Sequence, residues 1–61
     1  MDFDLNQKVK LYSSERKGYK VARIVAIKNF KNMASRYDLI VLKNNVLVTG
    51  ILGKFLEAIY A

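Results

Sequence analysis

Sixty-one residues and 7.0 kDa leave room for one small domain, and 52% hydrophobic against 26% charged residues is too apolar a mix for a disordered segment. Cysteine and histidine are both absent, which excludes disulfides, zinc fingers and any catalysis that runs through either side chain. Eleven Lys and Arg against five Asp and Glu give a formal charge of +6 and a pI near 9.9, a balance that favours anionic partners.

The chain opens on Met1-Asp2-Phe3-Asp4, without the basic start and apolar stretch of a secretory leader. Residues 1–6 read as a loose tail ahead of a single basic β domain. No apolar run approaches the roughly 18 residues that a membrane span needs, so the expectation is a soluble cytoplasmic protein with no membrane partner. Residues 7–12 alternate polar and apolar, the period-two pattern of a half-buried strand. Ser13 to Gly18 is polar and reads as an exposed loop. Tyr19 to Lys28, with Val21, Ile24, Val25 and Ile27, predicts a long strand; both of its faces carry apolar residues, as a strand that bends to serve two sheet surfaces would. Asn29 to Ser35 is expected to be a loop with Phe30 and Met33 tucked inward.

Next come Leu39-Ile40-Val41-Leu42 and Val46-Leu47-Val48-Thr49, flanking Lys43-Asn44-Asn45. Asn tolerates positive φ, so Asn44-Asn45 predicts a two-residue hairpin turn that pairs Lys43 with Val46, Leu42 with Leu47 and Val41 with Val48. In the tail, Ile51, Leu52, Phe55, Leu56 and Ile59 recur at helical spacing, while Gly50 and Gly53 disfavour a long helix. A short amphipathic helix and a single turn at Gly53–Leu56 followed by a closing strand both fit.

Strand, polar loop, long strand, loop, hairpin, turn and closing strand, read from Lys8-Val9-Lys10-Leu11 through Gly18 to Val25, Tyr37 to Leu42, Val46-Leu47-Val48 and Phe55 to Ile59, resembles the SH3-like small barrels, nearest to their KOW and Tudor branches. The resemblance covers residues 7–60. It implies an all-β, five-stranded barrel with a short C-terminal helical turn; the alternative is a β-meander with a C-terminal amphipathic helix. The type II dihydrofolate reductases also use such a chain, with Val-Gln-Ile-Tyr on the pore-lining strand. The corresponding strand here reads Val46-Leu47-Val48-Thr49, so that activity does not carry over, although the tendency of such barrels to self-associate does.

Nothing in the chain assembles a reactive constellation. Ser13, Ser14, Ser35 and Thr49 have no histidine to activate them, Asp2-Phe3-Asp4 is too short for a calcium loop, and the three glycines are isolated rather than a phosphate-cradling run. The expectation is no enzyme, no cofactor, no metal and no small-molecule substrate. Seven cations, by contrast, fall between Arg16 and Arg36 with no acid among them. Arg16, Lys17, Tyr19, Lys20, Arg23, Lys28, Lys31 and Arg36 form a candidate nucleic-acid-binding set, cations for phosphates and aromatics for bases. The competing reading places Tyr37 and Phe30 in the core and leaves the cations as a solvating surface. On the hairpin, Leu39, Val41, Val46 and Val48 share one parity and Ile40, Leu42 and Leu47 the other, yet a small barrel has one interior. Leu39, Val41, Val46 and Val48 are taken as a candidate interface for a protein partner or a second copy.

Overall fold

The computed structural model describes residues 3–13, 15 and 17–59. It is an all-β fold: β1 (Lys8–Tyr12), β2 (Tyr19–Phe30), β3 (Met33–Val41), β4 (Val46–Leu52), a one-turn 3-10 helix (Gly53–Phe55) and β5 (Leu56–Ala58). All pairings are antiparallel in one sheet of order β4-β3-β2-β1-β5. The sheet bends strongly around its core, but among the described residues no ladder joins β4 to β5, so it stops short of a closed barrel. At the tail, the turn-and-strand arrangement holds and the amphipathic helix does not form.

β2 is long because it serves both halves of the sheet. Ala22 and Ile24 are fully buried, so even positions point inward there. Val25 is then an extra residue: Ile24 pairs with Leu39 but Ala26 pairs with Asp38. This bulge bends the strand and switches its parity, so that Ile27 joins the core after it. The inward face of residues 19–28 thus changes parity at Val25, carrying Ala22 and Ile24 before it and Ile27 after it, while Val21 and Val25 themselves stand exposed. Inside lie Phe3, Val9, Ala22, Ile24, Tyr37, Leu39 and Leu56, with the Phe3 and Tyr37 rings edge to face at 5.5 Å.

The structure departs from the sequence-based expectation at three places. Residues 3–6 are not loose: Phe3 is buried, the Asn6 N–H donates to the Ile24 carbonyl at 2.8 Å, and Asn6 takes a left-handed turn at φ 66°. The stretch 29–35 is mostly strand, because Phe30 pairs with Met33 around a two-residue turn at Lys31 and Asn32, the latter at φ 64°. Phe30 and Met33 consequently stand exposed at that end instead of tucking inward. The β3–β4 connection is longer than two residues. The Asn45 N–H reaches back to the Val41 carbonyl at 2.8 Å, Asn45 sits at φ 56°, and the Leu42 N–H leaves the hairpin for the Val21 carbonyl on β2. Val41 therefore pairs with Val46, Ile40 with Leu47 and Leu39 with Val48, a register two residues from the expected one. A two-residue slip preserves parity, which is why the face grouping survives it.

A second bulge lies in β4, where Thr49 and Gly50 together oppose Asp38, and Gly50 takes φ 68°, open to glycine without strain. The Gly50 N–H donates to Asp38 Oδ1 at 3.0 Å and Arg36 Nη1 donates to the Gly50 carbonyl at 3.1 Å, so both polar groups of the bulge are satisfied by β3 side chains.

Candidate nucleic-acid interface

Strand alternation assigns the outer face directly. On β1, Val9 is buried and Leu11 packs on the core, which turns Lys8, Lys10 and Tyr12 outward. On β2, Ala22 and Ile24 point in, which turns Tyr19, Val21 and Arg23 outward. The ladder then sets Lys8 opposite Arg23, Lys10 opposite Val21 and Tyr12 opposite Tyr19. The two tyrosine rings lie 5.7 Å apart at 53°, and Lys10 Nζ stands 4.9 Å from the centre of the Tyr19 ring. Glu57, opposite Lys10 on β5, approaches that ammonium at 3.5 Å and is the acid this face carries among the described residues.

The predicted cations are thus divided by the fold. Tyr19 and Arg23 share the outer face. Lys20 lies at the strand start with the other parity, opposite Leu11, yet is exposed. Lys17 sits in the β1–β2 loop, 3.5 Å from Glu15. Lys31 stands in the β2–β3 turn at the far end of β2, and Arg16 lies outside the described residues. Lys28 and Arg36 pair across β2 and β3 beyond the bulge and serve the structure there: Lys28 Nζ is 3.3 Å from Asp38 Oδ2, and Arg36 holds Gly50. Lys8, Lys10 and Tyr12 were missing from the sequence set, although the alternation over residues 7–12 already put them on one side of a strand. Among the described residues no group of three or more acidic side chains could hold a metal ion, and no helix is long and apolar enough to cross a membrane.

The expected hairpin interface does not form a surface. Leu39 is fully buried and Val41 is 4% exposed, so both belong to the core and cannot present a surface. Val48 is half-buried, and only Val46 of the four stands in solvent. The other exposed apolar side chains of the hairpin, Leu42 and Leu47, belong to the opposite parity, on which Ile40 is half-buried. Parity groups residues, but which group faces in is decided by the β2 partners, and Leu39 lies opposite Ile24.

Asp38 ties the β4 bulge to β2, and its carboxyl is held below the ordinary aspartate value of 3.8, first by the Gly50 N–H and then by Lys28, against the opposing pull of burial. A depressed folded value means that Asp38 stabilises the fold above about pH 4 and that the contribution disappears as acid protonates it. Asp38→Asn is therefore expected to lower the melting temperature at neutral pH. The gap between variant and parent should close in melts taken progressively below about pH 4; a gap independent of pH would mean that the carboxylate charge does not hold the bulge.

Comparison of the chain with known protein families, curated proteins and solved structures finds no match in any of the three.

Proposed function

We propose that this chain is a non-enzymatic binding module that holds nucleic acid against the outer face of β1 and β2. The observation that supports this reading is the cross-strand Tyr12–Tyr19 pair with Lys10 over one ring and Lys8 opposite Arg23 four rungs along the same ladder. Aromatic rings beside fixed cations suit a chain of bases joined by phosphates, since each base has a π-face and each phosphate a charge. A formal +6 adds long-range attraction for such a polyanion.

Fluorescence anisotropy with labelled oligonucleotides over a salt series tests it. Three or four phosphates engaged by Lys8, Lys10, Lys20 and Arg23 predict a log–log salt slope of about −2 to −3 for a single strand. Absence of binding at the lowest salt would reduce the cations to a solubility role. A second reading, a protein partner or second copy, is favoured by a different observation: Leu42, Val46 and Leu47 of the hairpin are 37%, 49% and 58% exposed.

A further inference from the structure

Where β1 ends and β2 begins, the surface dips into a groove of about 510 Å³ lined by Leu11, Tyr12, Gly18, Tyr19, Lys20 and Ile51. Its composition is mixed in a particular way. Leu11 and Ile51, both packed on the core, supply an apolar floor; the paired tyrosines supply an aromatic wall; Lys20 is an exposed cation at the rim. Gly18 leaves the entrance open. A Cβ there would meet nothing within 4 Å, and the residue is not in the left-handed region, so neither backbone nor packing requires glycine.

We infer that this groove seats one unstacked base of a single-stranded nucleic acid, with a neighbouring phosphate against Lys20. The inference rests on the reading of the outer face as a nucleic-acid surface and adds to it a preference for single strands. A base in a duplex is stacked on both sides and cannot reach a tyrosine wall, whereas a base in a single strand is free to turn into it. The cation at the groove decides the occupant's charge: Lys20 at the rim would repel a cationic side chain and attract a phosphodiester. An aromatic wall offers little to a bare anion, so the ligand that uses both features is a flat base joined to a phosphate.

The test compares three labelled probes of equal length with the unaltered protein at one low salt concentration: an oligothymidylate, the same backbone with abasic positions, and a duplex. Base seating is worth roughly fivefold to a hundredfold in affinity, so the oligothymidylate should bind about tenfold tighter than the abasic strand. Gly18→Leu should remove that advantage by filling the groove, while binding of the abasic strand stays as it was. Equal affinity for the oligothymidylate and the abasic strand would overturn the groove and leave a phosphate-binding face standing. An advantage that persists in folded Gly18→Leu would place the base elsewhere and likewise overturn it. Failure of all three probes to bind would remove the nucleic-acid reading and the groove with it. Should Gly18→Leu not fold, Ser13→Leu, at another lining position, makes the same comparison.

Discussion

Leu39→Ala is expected to remove most or all of the fold's stability, and Leu47→Ala to change it by no more than about 0.5 kcal/mol. The two leucines sit on paired strands of one hairpin and differ in the direction they face. Leu39 is fully buried opposite Ile24, while Leu47 is 58% exposed opposite Ile40. Truncating a buried leucine costs about 2–5 kcal/mol through lost transfer energy and the cavity left behind. A chain of this length has roughly 3–9 kcal/mol in total, and among the described residues there is no disulfide or metal group to compensate. Urea unfolding followed by circular dichroism reads both variants. Equal losses would mean that the inward and outward faces have been assigned the wrong way round. The same pair separates core from interface: if the hairpin's outer face meets a protein, Leu47→Asp loses that assembly while the fold remains.

Reversing Lys8 and Arg23 to Glu together should weaken oligonucleotide binding on the order of a hundredfold at low salt and flatten the single-strand log–log salt slope by about 1.4. Both side chains lie outward on one rung, so the change falls on the face and not on the core. Arg23 also donates to the Asn6 carbonyl at 3.2 Å, which makes a parallel thermal melt the necessary control. Lys31→Glu, in the turn at the opposite end of β2, should leave the affinity within about threefold, since exposed charges beyond a Debye length are largely screened. Lys28→Glu makes the contrasting case. It sets an acid beside Asp38 and should cost stability before it costs binding. If both reversals lower affinity equally, net charge rather than the β1–β2 face governs the interaction.

The fold was largely legible because its signals are local. Alternation over Gln7 to Tyr12, β-branched residues from Val21 to Ile27, and two apolar runs around Asn44-Asn45 each predict a strand at about the right place. What failed depended on partners distant in sequence. Asn45 supports more than one turn, and the longer one forms because Leu42 bonds to Val21 on β2 instead of closing the hairpin. Phe3 is an isolated aromatic in an acidic start, and nothing near it in sequence reveals that Tyr37 and Gly53 complete its pocket. Leu39 and Val41 could be grouped but not oriented, since the Val25 bulge and the Ile24 pairing set the inward side. The site followed the same rule. Tyr19 and Arg23 were visible inside a basic stretch, whereas Lys8, Lys10 and Tyr12 gained meaning only once β1 was laid beside β2.

The ladder from β1 to β5 spans three residue pairs, and its closing pair joins Val9 to Ala58. Loop-closure entropy disfavours so distant a contact compared with the β2–β3 and β3–β4 hairpins, whose strands follow one another directly. The hairpins should therefore order first during folding, and β5 should dock last. Once docked, β5 is also the least secured strand: the Leu56 N–H is held by the Gly53 carbonyl within the 3-10 turn, so the amide that faces β1 is that of Glu57, and it is expected to exchange with solvent through a partial opening well before those of Ile24 and Leu39. Each such opening bares the outer edge of β1 and releases Lys10 from Glu57, so the rate at which the proposed binding face renews its geometry is set by the detachment of a three-residue strand.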